Sequence, residues 1–299
     1  MKNRLMPYLL SVLAILVLSF GLDTKRLWAD EEETTETTDT KEADEIKVPD
    51  LSAYKGCVSD RYFRPRSGAL RIGGSTSFYG ALVEQNAEQI DKAGKFHMKS
   101  SSSGRGIKSL AEGKIDVAMI SAPLSNIIKQ LNKEIEGNRL SESMFQVHEI
   151  TRSDIAVIVN RDNPLVKKGQ TITLEELVKI LEGEITDWQE IVGRRPRSIQ
   201  LVTEDSNGGV RIVLQDSIMK GKMFWAEGRR LARASQINNI VKQYPNAIGI
   251  VNASEANDTV VRLKIKGLDV KQPLALVTKG APSSAVKVFI DAVKRANKI

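Results

Sequence analysis

From residue 67 onward, short apolar segments alternate with amphipathic helical patterns, and this alternation restricts the fold more than any other feature. The segments 114–120 and 153–160 are almost continuously apolar, which is typical of strands in a parallel sheet covered on both faces. Strands that alternate with helices indicate an α/β architecture. The predicted strands are 69–74, 114–120, 153–160, 198–202, 247–251, 260–265 and 274–278.

The clearest predicted helix begins after Thr173. Thr173 and Glu176 have the spacing of a capping box, and apolar residues recur from Leu174 to Leu181 at intervals of three and four. Gly183 supplies the C-terminal stop. Further helices are predicted after Ser75, after Ser103, in the segment that follows residue 208, over 226–243, and from Pro282 to the chain end.

Residues 1–29 have the pattern of a targeting segment. Two basic residues precede the uncharged and mostly apolar stretch 5–22, and residues 27–29 offer a cleavage site. We therefore expect export to a periplasmic or other extracytoplasmic location, with an uncleaved signal anchor as the alternative. The single Cys57 has no partner for an intramolecular disulfide and lies too far from the apolar stretch to carry a lipid.

Charge is distributed unevenly along the chain. Residues 30–50 hold ten acidic residues and two lysines, a net charge of −8, and residues 30–66 are predicted to form a disordered acidic tether. Residues 1–29 carry +3, so the chain total of +7 leaves +12 for residues 51–299. A basic surface attracts small anions, nucleic acid and acidic lipid alike, so charge alone selects no partner.

Three predicted helices begin in loops rich in hydroxyl groups and glycine, at 75–77, 103–106 and 205–209. The first N–H groups of a helix lack partners and its N-terminus carries partial positive charge, so such loops suit an anion. In open α/β sheets, ligands bind beyond the carboxyl ends of the strands. We expect the three loops to meet there.

Six stretches follow one another along the chain: GGSTSFYGAL, SSGRGIKSLAEGKIDVAMISAPLS, IAVIVNRDNP, TLEELVKILEGEITDWQEI, YPNAIGIV and PLALVTKG. Taken in this order, they resemble the periplasmic phosphate-binding proteins of ABC importers (PstS-like). The resemblance covers residues 68–299 and implies a two-lobed α/β fold of the periplasmic-binding-protein type II class, in which the chain crosses twice between lobes. It implies capture of an oxyanion, with phosphate as the expected ligand, for a membrane permease. We expect a monomer and no nucleic acid partner. It assigns residues 67–151 and 250–299 to lobe 1 and 152–249 to lobe 2.

The resemblance also supplies candidate ligand residues in each loop. Ser103 would be the hydroxyl of the second loop, with the N–H groups of 104–106 beside it, and Arg105 is a candidate for an additional charge. A shifted Arg211 would serve the third loop. The full candidate set is Ser75, Thr76, Ser77, Ser103, Gly104, Arg105, Gly106, Ser121, Asn207, Gly208, Gly209 and Arg211.

Two parts of the candidate site depart from the family pattern. Ser121 stands where phosphate-specific members place an aspartate that accepts the proton of hydrogenphosphate. In the third loop, the expected arginine, serine and threonine are replaced by Thr203, Asn207 and Gly209. The neighbouring acidic side chains at 204 and 205 would repel an anion if they faced the cleft.

Signals for enzymatic chemistry are absent from the sequence. The segment 104–109 fails the spacing of a nucleotide phosphate loop, and His97 and His148 have no cysteine cluster for a metal. We expect no enzyme activity, cofactor or metal, and an exported hydrolase would lack a nucleophile and base. The remaining alternative is an envelope scaffold or adhesion protein whose basic surface binds acidic polymers.

Overall fold

The computed structural model describes residues 68–134, 139–193, 195–231, 233 and 235–299. The predicted signal segment and the predicted acidic tether lie outside these described residues. Along the described ranges, the helices are too short or too polar to cross a membrane.

The described residues form one mixed sheet of nine strands. The strands are β1 (Leu70–Ser75), β2 (Phe96–Ser101), β3 (Val117–Ile120), β4 (Phe145–Val159), β5 (Gln200–Glu204), β6 (Arg229–Leu231), β7 (Ala247–Asn252), β8 (Val261–Leu263) and β9 (Lys271–Lys279). They lie in the order β2-β1-β3-β9-β4-β7-β5-β6, and β8 pairs with β4. Strand β1 runs parallel to β2 and β3, so their carboxyl ends reach one edge.

The long strand β4 divides the sheet into two half-sheets. Residues 145–154 pair with β9, and residues 155–159 pair with β7. The first half-sheet therefore holds β1, β2, β3, β9 and the start of β4, while the second holds the rest of β4 with β5, β6, β7 and β8. The chain crosses within β4 and returns between β8 and β9, which gives the two predicted crossovers.

Helices cover both half-sheets. They are α1 (Thr76–Phe78), α2 (Ala87–Asp91), α3 (Ser103–Ala111), α4 (Leu124–Glu134), α5 (Pro164–Lys167), α6 (Leu174–Glu182), α7 (Gln189–Val192), α8 (Gly209–Ser217), α9 (Ser235–Gln243) and α10 (Ser284–Ala296). The capping box of α6 is confirmed: Thr173 Oγ1 accepts from the N–H of Glu176 at 3.1 Å, and its N–H donates to the Glu176 carboxylate at 2.7 Å. Gly183 ends α6 with a φ of +81°.

The predicted elements differ from the structure at several places, and β2 has no counterpart among the predicted strands. Residues 229–231 of the predicted helix 226–243 form β6, because they pair in parallel with the end of β5, and the helix begins only at Ser235. The predicted strand 153–160 is the end of the longer β4, whose half-exposed start lacks the continuous apolar signal. The last helix begins at Ser284, after its cap Ser283, and not at Pro282.

The region after Ser75 is helical but irregular. The short α1 is followed by a π-helical turn over Tyr79–Val83 and a 3-10 turn over Glu84–Asn86 before α2. Phe78, Val83 and Ile90 nevertheless pack into a core with Phe289 of α10. This packing fixes the start of α1 against the carboxyl end of β1.

A second core joins α3 and α4 to α6 and α8 across the two half-sheets, and a third lies under α9. The predicted lobe boundaries, with residues 67–151 and 250–299 in lobe 1 and residues 152–249 in lobe 2, remain a prediction. Pairing of Val261–Leu263 with β4 places that segment on the second half-sheet.

Candidate functional site

Three serine side chains meet at the carboxyl edge of the first half-sheet. Ser75 ends β1, Ser121 follows β3, and Ser103 begins α3. Ser75 Oγ donates to Ser121 Oγ at 2.8 Å, and the oxygens of Ser103 and Ser121 lie 3.3 Å apart. The Ser121 N–H donates to Ser103 Oγ at 3.0 Å. We call Ser75, Ser103 and Ser121 the serine cluster; all three are buried.

Glycines allow the first two loops to approach each other. Gly74 has a φ of +126°, and a Cβ there would overlap the carbonyl of Met119 on β3. A Cβ on Gly106 would lie 2.8 Å from the Cα of Gly74. The start of α3 therefore packs directly on the end of β1, which brings Ser103 to the serine cluster.

The third loop closes the site from the second half-sheet. A Cβ on Gly209 would overlap Ser121 Oγ and would lie 2.9 Å from Ser103 Oγ. The first turn of α8 is therefore in contact with the serine cluster, and the three loops meet as the sequence predicts. A threonine at position 209, as in the family pattern, has no room in this arrangement.

The backbone N–H groups of the second loop already have protein partners. The Gly104 N–H donates to the carbonyl of Asn207 at 3.1 Å, and the Gly106 N–H donates to the carbonyl of Ser102 at 2.9 Å. Ser102, which the sequence reasoning did not select, is the N-cap of α3. The contact between 104 and 207 joins the two half-sheets directly.

Charged and polar side chains add further contacts between the half-sheets. Arg105 forms an ion pair with Asp205 at 2.6 Å, and their side chains are 49% and 21% exposed. Glu134, at the end of α4, accepts from Ser206 Oγ at 3.3 Å and from Asn207 Nδ2 at 3.4 Å. Asp205 is therefore paired with a cation.

Glu204 is turned toward the N-terminus of α8. Its carboxylate is buried and accepts from the N–H of Val210 at 2.8 Å. Gly208 permits this approach, because a Cβ there would overlap the Glu204 side chain. Burial raises the pKa of Glu204 to about 7, although hydrogen bonds from the N–H groups of Val210 and Arg211 lower it. An internal carboxylate thus caps a helix end that suits an anion.

Arg211 is buried, and its guanidinium lies beside Thr203. Nη1 donates to Thr203 Oγ1 at 2.9 Å and to the carbonyl of Glu204 at 3.4 Å. The guanidinium also stacks 4.1 Å from the ring centre of Phe224. Burial, and after it the charge of Arg230, lowers the pKa of Arg211 to about 10. The guanidinium of Arg211 therefore contacts Thr203, the residue at the sequence position where the family pattern has its arginine.

The remaining candidates of the first loop lie on the far side of α1. Thr76 opens the helix and is half-buried. Ser77 is fully buried and donates to Glu255 Oε2 at 3.3 Å, so it contacts this carboxylate outside the serine cluster. Burial, and after it the charge of Glu204, raises the pKa of Glu255 to about 8. Sequence reasoning missed Glu255, because no local pattern marks the loop after β7.

The histidines do not form a metal centre. His148 Nε2 lies 3.2 Å from Thr278 Oγ1, and burial lowers the pKa of this histidine. Across the part of the chain that the structure describes, no three His, Cys, Asp or Glu residues come together in a way that could hold a metal ion.

Comparisons of the sequence and of the fold with known proteins assign the chain to the same family. A family model described as "PBP superfamily domain" matches residues 33–295. The phosphate-binding protein PstS of Bacillus subtilis is 25% identical over 244 residues, which cover 76% of each chain. The family is one of substrate-binding proteins and not of enzymes.

Two solved structures share the fold. One is a putative phosphate ABC transporter substrate-binding protein from Clostridium perfringens with bound phosphate; it is 25% identical, covers 76% of this chain and 93% of its own, and has a TM-score of 0.62. An ABC-type phosphate transport receptor from Vibrio cholerae is 20% identical, with 77% and 96% covered and a TM-score of 0.52. The predicted two-lobed α/β fold is confirmed, and the scaffold alternative is not favoured.

Proposed function

Because the chain belongs to the PBP superfamily, we propose that it is a solute-binding receptor that captures phosphate between its two half-sheets and delivers it to the permease of an ABC importer. The proposal is supported by the sequence similarity of the chain to the phosphate-binding relatives named above. The same proposal includes export of the chain, action as a monomer and the lack of nucleic acid partners. We also propose that the second lobe extends through β8, since β8 pairs with β4.

The serine cluster is the observation that carries the proposal. Ser75 gives its hydroxyl hydrogen to Ser121, and the hydroxyls of Ser103 and Ser121 share a single contact. Ser103 and Ser121 each carry one hydroxyl hydrogen, and the contact between them uses only one of the two. The other hydroxyl hydrogen is left to donate to a ligand. Neutral donors at the carboxyl edge of a sheet hold an oxyanion without a full countercharge.

Phosphate must separate α8 from the serine cluster in order to bind. Gly209 is in direct contact with this cluster, so an oxyanion that reaches the hydroxyls displaces the first turn of α8. Only two chain segments join the half-sheets, within β4 and between β8 and β9, and both are suited to act as hinges. Binding is thus coupled to a change in the distance between the half-sheets.

Isothermal titration of the purified chain with phosphate tests the proposal. We expect saturable binding that becomes about tenfold to a hundredfold weaker in Ser103→Ala, since a hydrogen bond to a charged group contributes about 1.5–3 kcal/mol. Ser217→Ala is the matched control, because Ser217 is exposed at the far end of α8. Absence of phosphate binding, or binding of a polyanion alone, would contradict the proposal.

A further inference from the structure

We propose that Glu204 and Glu255 act as one carboxylate pair that takes up a proton when the oxyanion binds, so that capture is proton-coupled and favours the protonated form of the site. This inference rests on the proposed function. It assigns to two residues outside the family pattern a role in setting the pH range of binding.

Glu204 places a carboxylate at the first turn of α8, and this turn contacts the serine cluster. Its Oε2 accepts from Val210 on α8, and the residue before Val210, Gly209, contacts Ser103 and Ser121. Glu204 is only 5% exposed. An oxyanion held by the serine hydroxyls and by the first turn of α8 would therefore lie within about one helical turn of this carboxylate.

Glu255 is linked to the first loop through Ser77 of α1. Its Oε2 accepts from Ser77, which is two residues from Ser75 of the serine cluster. After burial, the negative charge of Glu204 is the next cause that raises the pKa of Glu255. The two carboxylates therefore do not ionise independently.

The groups around the pair leave its negative charge poorly neutralised. Asp205 and Arg211 face Glu204, and Arg230 lies close to Arg211. Glu84 and the hydroxyl of Ser77 face Glu255, and the Asn238 side chain bonds only its backbone carbonyl. Asp205 is itself paired with Arg105. None of the ion pairs among the described residues includes Glu204 or Glu255.

An arriving oxyanion adds negative charge near the buried carboxylate of Glu204 and the half-buried Glu255. Like charges raise the pKa of a carboxyl group, so ligand binding favours its protonated form. Because the pKa values of Glu204 and Glu255 lie at about 7 and about 8 before this increase, proton uptake is expected around and just above these pH values. By linkage, the dissociation constant then rises with pH, by up to about tenfold per pH unit for each proton taken up.

The test is calorimetric titration with inorganic phosphate at pH 7.5 in two buffers of different ionisation enthalpy, which counts the protons taken up. We expect the full chain to take up more protons than Glu204→Gln and Glu255→Gln. The protonation change of phosphate itself is the same for all variants. The difference in proton count between the wild-type chain and a variant therefore measures the proton uptake of the substituted carboxylate. The exposed Glu227→Gln is the matched control and keeps the wild-type count.

The outcomes separate this inference from the proposed function. If the wild-type chain binds phosphate and both glutamine variants take up the same number of protons as it does, the inference is wrong while the function stands. If the wild-type chain does not bind phosphate, the proposed function itself fails. A glutamine at 204 still accepts from Val210, and the Glu255→Gln variant provides an independent result if the first variant is unstable.

Discussion

Gly209 packs against Ser121 so closely that a Cβ at position 209 would overlap the Ser121 hydroxyl and lie 2.8 Å from the Ser121 carbonyl oxygen. The hydroxyl can rotate away, but the carbonyl belongs to the backbone and cannot. The two residues come from different half-sheets, so this single contact limits how far the halves approach each other. It also explains the loss of the threonine that the family pattern has at this position.

Gly209→Thr is therefore expected to hold the half-sheets apart. Overpacking of a close contact costs about 1–3 kcal/mol, which corresponds to a loss of about fivefold to a hundredfold in the population of the closed form. Small-angle X-ray scattering should show a larger radius of gyration than for the wild-type chain.

Gly80→Ala is the matched control for this change, because a Cβ there meets its neighbours only at 3.6 Å or more. A Gly209→Thr variant that scatters like the wild-type chain would show that α8 is free to shift without separating the half-sheets.

The stability of the chain should fall as the pH rises from 5 to 8.5. The pKa of Glu204 is about 7 in the folded chain, against an ordinary glutamate value of 4.5, so the folded state holds more protons than the unfolded state between these two pH values. Stability from this group is present in full below pH 4.5 and is lost as the pH passes through about 7. The loss is on the order of 3 kcal/mol for one fully buried group.

Thermal unfolding of wild-type and Glu204→Gln chains as a function of pH measures this effect. The difference between the two curves removes the contribution of other groups, such as His148. We expect the variant to gain melting temperature relative to the wild type above pH 7 and to lose this advantage near pH 5. A difference that does not change with pH would contradict the raised pKa.

The ion pair between Arg105 and Asp205 should contribute little, although it joins the half-sheets at 2.6 Å. The Arg105 side chain is 49% exposed, and exposed ion pairs contribute about 0–1 kcal/mol. We expect Arg105→Ala to change phosphate affinity by at most about fivefold, with the difference disappearing at high salt.

Lys108→Ala on the same helix is the control for the removal of a positive charge. A loss of affinity by Arg105→Ala that is large and persists in high salt would indicate that Arg105 contacts the ligand directly.

Local sequence patterns predicted the parts of the fold that depend on near neighbours. The capping box of α6 needs only the spacing between Thr173 and Glu176, and it forms as expected. The helix predicted over 226–243 failed at its start, because β6 exists only through pairing with β5, which lies some 25 residues earlier in the chain. Pairing with a strand outside the local sequence window overrides the local helix propensity of these residues.

The sequence alone determined that hydroxyl- and glycine-rich loops begin three helices of an α/β fold. It predicted strands before the first and third of these loops, but β2, which leads into the second loop, has no counterpart among the predicted strands. Tertiary structure alone decided what those loops touch. The Gly104 N–H meets Asn207, Arg211 meets Thr203, and Ser77 meets Glu255. These contacts join segments from different elements, many of them far apart in the chain, so the packing of the two half-sheets fixes both the partners and the burial that raises the pKa of each glutamate.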